Sequence, residues 1–270
     1  MNSFQYFCQM KILRVAFLFC LLCISQTVNS QSSAYVLSPK VDYSIGGGVL
    51  LLGTSGYFAG SRDTALTQDQ IDALNVEDIP RFDRKAVGKW SPALSHISDA
   101  GLLLCVASPA FLLFSDEVRK NAAPFGVITA ETYLSTIVLT NFTKNISRRA
   151  RPYVYHPDVP SDLKMKKDAK RSFFSGHTSL AFCSAVATST MFCRYHPDSP
   201  LRPWIWGTTL TLASATGYLR YAAGKHFPSD VIVGAIAGSL VGYAIPLLHQ
   251  NRGDKSAPDK AFTVRIIFAF

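Results

Sequence analysis

The stretch GYLRYAAGKHFPSD, residues 217–230, joins two apolar segments of the chain. Pro228 suits the first turn of a helix, because proline lacks an N–H that a helix start would leave unpaired. We therefore expect one helix to end near Arg220 and the next to begin at Pro228. His226 and Asp230 then lie at the junction. There the Asp230 carboxylate can reach one imidazole nitrogen and leave the other free to attack or to move a proton.

These two segments are the last of six apolar segments in the chain. Each is about 15 to 20 residues long with few charges, which favours helices that are buried on most of their faces. The sequence contains no internal repeat, and it predicts an all-α fold, a bundle of six helices in one domain. The six segments are 44–60, 100–114, 123–142, 178–193, 204–219 and 231–248.

The two ends of the chain differ from this helical middle. Lys11 and Arg14 precede the apolar run VAFLFCLLCI, and polar residues follow up to Ser30. This order is typical of a secretory signal peptide, with a retained anchor helix as the alternative. In the last residues, AFTVRIIFAF, apolar side chains alternate at the strand period, so we expect a short β-like tail that pairs near residues 34–43. The expected organisation is a signal peptide at 1–30, one domain at 31–250 and a C-terminal tail at 251–270.

Charge is distributed unevenly along the chain, whose formal net charge is +9. Basic runs occupy 144–151 and 164–171, whereas acidic residues gather at 68–83. A basic surface suits nucleic acid, anionic lipid or a phosphorylated substrate. No nucleic-acid-binding motif is visible, so we expect no nucleic-acid partner. The sequence does not decide whether the acidic segment covers a site or contacts a bilayer.

A second motif, RSFFSGHTS at 171–179, precedes the fourth apolar segment. It places Ser175, Gly176 and His177 at an expected helix start, where backbone N–H groups form an anion site and glycine allows an oxygen to approach closely. Serine and glycine are also common helix caps, so the motif alone is weak evidence of a site.

A third motif, KNISRRARP at 144–152, follows the third apolar segment. Lys144 and Arg151 supply the ammonium and guanidinium groups that a doubly charged phosphate needs. A basic run alone is more often a solvated face or a topology signal.

In chain order, the three motifs are Lys-x6-Arg-Pro, Ser-Gly-His and Arg-x5-His-x3-Asp. In this order and spacing the chain resembles the type 2 phosphatidic acid phosphatases, a family that shares its fold with bacterial class A acid phosphatases and vanadium haloperoxidases. Each residue type has an average frequency near one in twenty, so chance agreement at every specified position is remote. The resemblance covers residues 41–250. The matching residues are Lys144, Arg151, Pro152, Ser175, Gly176, His177, Arg220, His226 and Asp230.

The resemblance implies a six-helix bundle of this family's type and hydrolysis of a phosphomonoester through a phosphohistidine. His226 would attack phosphorus, Asp230 would orient and stabilise its imidazolium, and His177 would protonate the leaving oxygen. No metal and no other cofactor is implied. The groups that would hold the phosphoryl oxygens are the side chains of Lys144, Arg151 and Arg220 and the amides of Ser175 and Gly176.

Two positions depart from the family's pattern. Phe174 stands where the family usually has proline, and Leu219 stands where it usually has serine. Neither side chain is expected to react, so the expected reaction class is unchanged. The two departures bear on the shape of the phosphate pocket, and one serine hydroxyl contact is lost.

Other functions are compatible with parts of this pattern. His177, His226 and Asp230 could ligate a metal, but three fixed positive charges nearby favour an anion instead. Vanadate-dependent halide oxidation uses the same kind of ligands, although haloperoxidases are commonly larger chains. A non-catalytic protein that binds anionic lipid accounts for the basic runs but not for two histidines and an aspartate in register.

The apolar helices and the signal-like leader together indicate a substrate class. We expect a phosphorylated lipid of a bacterial-type cell envelope, such as phosphatidate, a polyprenyl pyrophosphate or lipid A. A soluble periplasmic acid phosphatase that acts on small phosphomonoesters is the alternative. Export would place the protein in the periplasm or at the membrane, with the active site facing the periplasm. Several helices fall short of the roughly 20 residues that a bilayer span needs, so the sequence leaves membrane crossing open.

The four histidines outside the motifs have plainer expected roles. They are His96, His156, His196 and His249. Solitary histidines between polar neighbours or at segment ends most often lie on the surface or at helix caps. We therefore expect surface or cap roles for all four.

Overall fold

A computed structural model describes residues 33–61 and 63–251. Within these ranges the fold is all-α, as expected. Six of its helices are long, and their positions match the six apolar segments of the sequence. These are α1 (Pro39–Ser61), α3 (Pro92–Ala107), α5 (Ala122–Ser147), α7 (Gly176–Tyr195), α8 (Arg202–Ala222) and α9 (Pro228–Leu248).

The expected count of six helices is wrong for the described residues, which contain nine α-helices. The additional three are short helices in the connecting segments: α2 (Gln68–Asp72), α4 (Asp116–Lys120) and α6 (Ser161–Lys164). Helix α2 shows how such a helix arises, because the Thr67 hydroxyl accepts from the Gln70 N–H and the Gln70 side chain accepts from the Thr67 N–H. Local caps of this kind form single turns that no long apolar run signals.

Helix α7 is the centre of the bundle, since it packs against α3, α5, α8 and α9. Most of its residues are buried, and many of them are alanine, serine and threonine. Small side chains let neighbouring helices approach closely. The closest neighbour is α9, where a Cβ atom added at Gly238 would lie 1.9 Å from the carbonyl oxygen of Ser179.

The first turns of α7 and α9 lie side by side at one end of the bundle. The Ser175 N–H, just before α7, donates to the carbonyl oxygen of Asp230 in the first turn of α9, at 3.0 Å. Helices α5 and α8 end where α7 and α9 begin. Lys144 lies in the last turn of α5, and Arg220 lies in the last turn of α8. All three sequence motifs therefore meet at the same end of the bundle.

The outer surface of the bundle is strongly apolar. Among the described residues, three helical segments are long and apolar enough to cross a membrane: Pro92–Phe114, Ala122–Tyr155 and Pro228–Leu248. On α9, the exposed face includes Ile232, Ile236, Leu240 and Tyr243. The sequence left membrane crossing open, and the structure favours it by placing large apolar side chains outward.

Both ends of the chain lie largely outside the described residues. The proposed signal peptide at 1–30 lies outside the described residues, and so does the expected tail strand beyond Asn251. In the described part of the chain, β-structure is limited to one isolated antiparallel bridge between Tyr35 and Gln250.

Candidate active site

His226 is the centre of the site. It lies in the short connection between α8 and α9 and is 1% exposed. Its Nε2 atom is 3.3 Å from Nη1 of Arg151, and its Nδ1 atom is 3.6 Å from Oδ2 of Asp230. The carboxylate therefore lies on one side of the ring, and the nitrogen on the other side faces a guanidinium.

Asp230 is held rigidly beside this ring. It is fully buried, and its Oδ2 atom accepts from the Phe227 N–H at 2.9 Å and from the Ser172 hydroxyl. Its Oδ1 atom accepts from Nη1 of Arg149 at 2.7 Å. Three donors thus stabilise the ionised carboxylate, which can in turn stabilise positive charge on the imidazole.

Arg149 connects this carboxylate to a second buried one. Its Nη2 atom is 2.7 Å from Oδ2 of Asp83, which is 2% exposed, and its guanidinium lies 4.0 Å from the centre of the Phe227 ring. Asp83 also accepts from the Ser229 N–H at 3.0 Å. The last residue of the acidic segment 68–83 therefore binds Arg149 and Ser229 next to the site. The sequence had left the role of this segment undecided.

Arg151 is oriented by acceptors on two loops. It is 4% exposed, and Nη2 pairs with Oδ1 of Asp168 at 2.9 Å while Nε donates to the Asp168 carbonyl oxygen at 2.9 Å. Nη1 donates to the Lys225 carbonyl oxygen at 3.2 Å. Because these acceptors fix the guanidinium, Nη1 of Arg151 is held in one orientation beside His226.

Lys144 and Gly176 adjoin each other across the α5–α7 contact. Lys144 is 8% exposed, and a Cβ atom added at Gly176 would lie 3.8 Å from its Nζ atom. Ser175 is also close in the chain, but its N–H is engaged by Asp230 and its hydroxyl accepts from Thr178. Ser175 therefore joins α7 to α9, and its amide is not free for a phosphoryl oxygen in this arrangement.

Arg220 and His177 share an acidic partner, Asp99 on α3. Nε2 of His177 is 2.7 Å from Oδ1 of Asp99, and Nη1 of Arg220 is 3.1 Å from the same oxygen. The hydroxyls of Ser95 and Ser98 also accept from Arg220, at 3.2 and 3.1 Å. Helix α3 thus places an orienting carboxylate at the site, although it contains none of the three motifs.

Before substrate binds, the electrostatics of the site favour the neutral form of both histidines. Burial lowers the pKa of His226 far below its usual value, and nearby positive charges lower it further. Burial, together with Arg220, lowers the pKa of His177 to about 4, against the raising effect of Asp99. Beside burial, the positive charges of Arg151, Lys144 and Arg220 lower the pKa of His226.

Two buried atoms at the site have no hydrogen-bond partner among the described residues: Nδ1 of His226 and Nε of Arg220. Nδ1 of His226 faces Oδ2 of Asp230 at 3.6 Å, just beyond hydrogen-bond distance, whereas Nε of Arg220 marks a place where a ligand or water can complete the site. A neutral imidazole surrounded by cations can bind an anion and attack it. The same cations oppose a divalent metal ion at this position.

The structure brings together the side chains of His226, Asp230, Arg151 and Lys144, with Arg220 and His177 linked to them through Asp99. Sequence reasoning missed the acceptors and donors behind these groups. Arg149 lay inside a basic run already noted, and Asp99 was an isolated acid beside an apolar segment, which is a detectable signal. The missed residues are Asp83, Asp99, Arg149, Asp168 and Ser172.

The chain is similar in sequence to a known protein family. Residues 125–254 match the model of the PAP2 superfamily. Phospholipid phosphatase-related protein type 1 of Mus musculus is 27% identical over 157 residues, which are 56% of this chain and 48% of that protein. This chain thus spans about half the length of the first curated relatives that it matches.

Two microbial relatives and one solved structure are also similar. An undecaprenyl-diphosphatase of Sulfolobus acidocaldarius is 24% identical, over 65% of this chain and 78% of its own length. A lipid A 4'-phosphatase of Porphyromonas gingivalis is 25% identical, over 53% of this chain and 58% of its own length. A transmembrane PAP2-type phosphatidylglycerolphosphate phosphatase from Bacillus subtilis aligns with a TM-score of 0.48 and 19% identity, over 77% of this chain and 94% of that one.

Proposed function

Because this chain belongs to the PAP2 superfamily, we propose that it is a phosphatase that releases phosphate from a phosphorylated membrane lipid. The observation that carries the proposal is the environment of His226. A buried, neutral imidazole has one nitrogen beside Arg151 and the other beside the Asp230 carboxylate. This is the arrangement that a nucleophile for phosphorus needs.

In the first step, Nε2 of His226 forms a bond to phosphorus as the bond to the leaving oxygen breaks. Asp230 stabilises the positive charge that develops on the imidazole. His177 transfers a proton to the leaving oxygen, so the alcohol departs neutral. In the second step, water attacks the phosphohistidine, His177 accepts a proton from that water, and the phosphorus–nitrogen bond breaks to release phosphate.

Cations hold the phosphoryl oxygens throughout both steps. Arg151 lies beside the attacking imidazole, Lys144 lies beside Gly176, and Arg220 shares Asp99 with the proton donor. Of the two amides implied by the resemblance, we assign this role to Gly176 only, since the Ser175 N–H is engaged by Asp230. Fixed positive charge in a buried site stabilises the transition state without reorganisation.

A lipid substrate is supported by the surface of the bundle and by the relatives. Large apolar side chains point outward from helices long enough to span a bilayer. Two of the relatives are named for lipid A and undecaprenyl diphosphate, both phosphorylated lipids. We therefore propose a lipid phosphomonoester or pyrophosphate, with the site opening toward the headgroup region at one end of the bundle.

The test is phosphate release by the full chain in detergent, without added metal, from phosphatidate in mixed micelles and from p-nitrophenyl phosphate. We expect a clear preference for the lipid, and we expect His226→Asn to lower kcat by at least about 100-fold. His196→Asn is the matched control, because His196 lies at the far end of α7. Labelled substrate should leave an acid-labile, alkali-stable phosphoprotein in the wild type and none in His226→Asn.

Two results would contradict the proposal. Equal rates on both substrates would indicate a broad-range acid phosphatase instead of a lipid phosphatase. Full activity in His226→Asn would exclude the assigned nucleophile.

A further inference from the structure

A second cluster of ionisable side chains lies at the end of the bundle opposite to His226. Nε2 of His249 is 2.8 Å from Oδ1 of Asp42 and 3.3 Å from Oε2 of Glu131. The cluster joins the first turn of α1, the middle of α5 and the residue that follows α9. The length of α9 separates it from His226 by about 30 Å, so it has no part in the hydrolytic site.

The imidazole of His249 is oriented by the backbone. It is 1% exposed, and its Nδ1 atom is 2.9 Å from the carbonyl oxygen of Ile245, the acceptor one helical turn earlier. A proton on Nδ1 satisfies that contact and directs the Nε2 lone pair at the two carboxylates. Histidines that bind metals are commonly fixed by the same contact, with one ring N–H donated to a carbonyl oxygen.

Glu131 provides an independent sign that the cluster binds a ligand. The residue is 9% exposed, and its Oε2 atom has no hydrogen-bond partner in the described part of the chain. This unpartnered oxygen is the one that faces Nε2 of His249. A buried carboxylate oxygen without a donor is costly unless a cation compensates it.

The charges in the cluster are unbalanced as they stand. In residues 33–61 and 63–251, no lysine or arginine forms an ion pair with Asp42 or Glu131. An imidazolium at His249 would leave one of the two negative charges uncompensated. A neutral imidazole and one divalent cation would balance both carboxylates.

We propose that Asp42, Glu131 and His249 bind a divalent transition-metal cation of the Zn²⁺ class. Their donor atoms all lie within 4.8 Å of one another, so one ion can reach all three. An imidazole nitrogen with two carboxylate oxygens is a donor set that Zn²⁺ accepts, with water in the remaining position. Ca²⁺ and Mg²⁺ prefer sites built from oxygen alone, so the imidazole disfavours them.

Such an ion would stabilise the packing of the N-terminal segment against the core. The Val36 N–H donates to the His249 carbonyl oxygen at 2.9 Å, and the Asn251 N–H donates to the Ala34 carbonyl oxygen at 3.1 Å. The ion would add a bond between α1, α5 and the end of α9. Its role is therefore structural, and metal-independent hydrolysis at the other end is unaffected. The inference does not depend on the proposed function.

The experiment is a metal titration of the full, detergent-solubilised chain, purified without a polyhistidine tag and dialysed against EDTA. We expect the wild type to bind about one equivalent of Zn²⁺ and its thermal midpoint to rise with Zn²⁺ concentration. Glu131→Gln keeps the side-chain volume, and we expect its Zn²⁺ affinity to fall more than about 10-fold. Asp42→Asn should behave in the same way.

The control separates this cluster from the catalytic histidines. The double variant His177→Asn/His226→Asn should still bind the full equivalent of Zn²⁺. Loss of binding in that variant, or unchanged binding in Glu131→Gln and Asp42→Asn, would overturn the proposal. Absence of stoichiometric binding by the wild type, or saturable binding of Mg²⁺ without Zn²⁺, would overturn it as well.

Discussion

Asp99 raises the pKa of His177 through a single short contact. The carboxylate is 2.7 Å from Nε2 of the imidazole, and it opposes the lowering of the His177 pKa by burial and by Arg220. The proposed proton donor therefore has a pKa of about 4 before substrate binds. Protonated His177 becomes scarcer as the pH rises above that value, so kcat/KM should fall between about pH 5 and pH 8.

Replacing Asp99 tests this assignment. Asp99→Asn removes the effect that raises the pKa of His177, so the pKa falls further and less of the protonated form exists at neutral pH. We expect kcat/KM to decrease about tenfold for each unit by which the pKa falls, with the decline beginning at lower pH. A pH profile of kcat/KM on one substrate measures this, because the substrate's own titration is the same for both proteins.

A double variant distinguishes an effect through His177 from one through Arg220, which Asp99 also contacts. In a His177→Asn background, Asp99→Asn should no longer move the pH profile. A shift of the same size in both backgrounds would mean that Asp99 acts through Arg220.

The contact between α7 and α9 is the element on which the site depends most. Gly234, Gly238 and Gly242 recur every fourth residue along one face of α9 and lie against the backbone of α7. Their spacing places both helix starts side by side, and the Ser175–Asp230 bond depends on that approach. A larger side chain here would separate the two helices and move Asp230 away from the rest of the site.

A graded glycine series tests this contact. An added Cβ would lie 2.8 Å from the Ser175 carbonyl oxygen at Gly234 and 1.9 Å from the Ser179 carbonyl oxygen at Gly238. We expect Gly234→Ala and Gly238→Ala to reduce the free energy of unfolding by about 1–3 kcal/mol, with Gly238→Ala the more severe. The measurement is the thermal midpoint in detergent, with phosphatase activity as the second readout.

Gly207→Ala on α8 is the control, since in the described part of the chain no atom beyond the local helix backbone and the neighbouring residues lies within 4 Å of an added Cβ there. Removing an unneeded helical glycine should leave stability unchanged or raise it by about 0.5–1 kcal/mol. A midpoint in Gly238→Ala that equals that of Gly207→Ala would show that the two helices can separate without cost.

At the scale of the whole molecule, the small core and the apolar exterior belong together. The helix-to-helix contacts at the centre are made by small residues, whereas many large apolar side chains are exposed, such as Leu103, Phe114 and Trp204. In water such a surface would aggregate, but in a bilayer it is the solvated side of the protein. The distribution of residue sizes is therefore that of a membrane bundle.

Membrane residence predicts resistance to alkaline carbonate extraction. The full chain should stay with the membrane fraction, and Ile236→Lys, near the middle of the exposed face of α9, should reduce that fraction. A lysine at the centre of a span costs about 2.5–3.5 kcal/mol on insertion scales. Ser161→Lys, at the exposed first residue of α6, is the control and should have no effect. Release of the wild type by carbonate would contradict membrane residence.

The long helices and the reactive groups were predicted from different features of the sequence. The six long helices followed from unbroken apolar runs, and the three motifs followed from residue type and spacing within short segments. The three short helices were missed because a single turn leaves no long apolar run in the sequence; a capping box at Thr67 begins α2, whereas α4 and α6 have no side-chain cap. His249 is the C-cap residue of α9, which agrees with the expected cap role. Its burial was not expected.

The all-α class and the three motifs could be predicted from residue order, because helix periodicity and motif spacing depend on neighbours within a few turns. The residues that contact the motifs from distant segments could not, because they depend on how the helices pack. Asp83 reaches Arg149, and Asp42 reaches His249, across long stretches of intervening chain. The burial of these side chains also determines which of their charges have no partner of opposite charge. Burial depends on packing from every side of a residue. Local spacing contains no information about either.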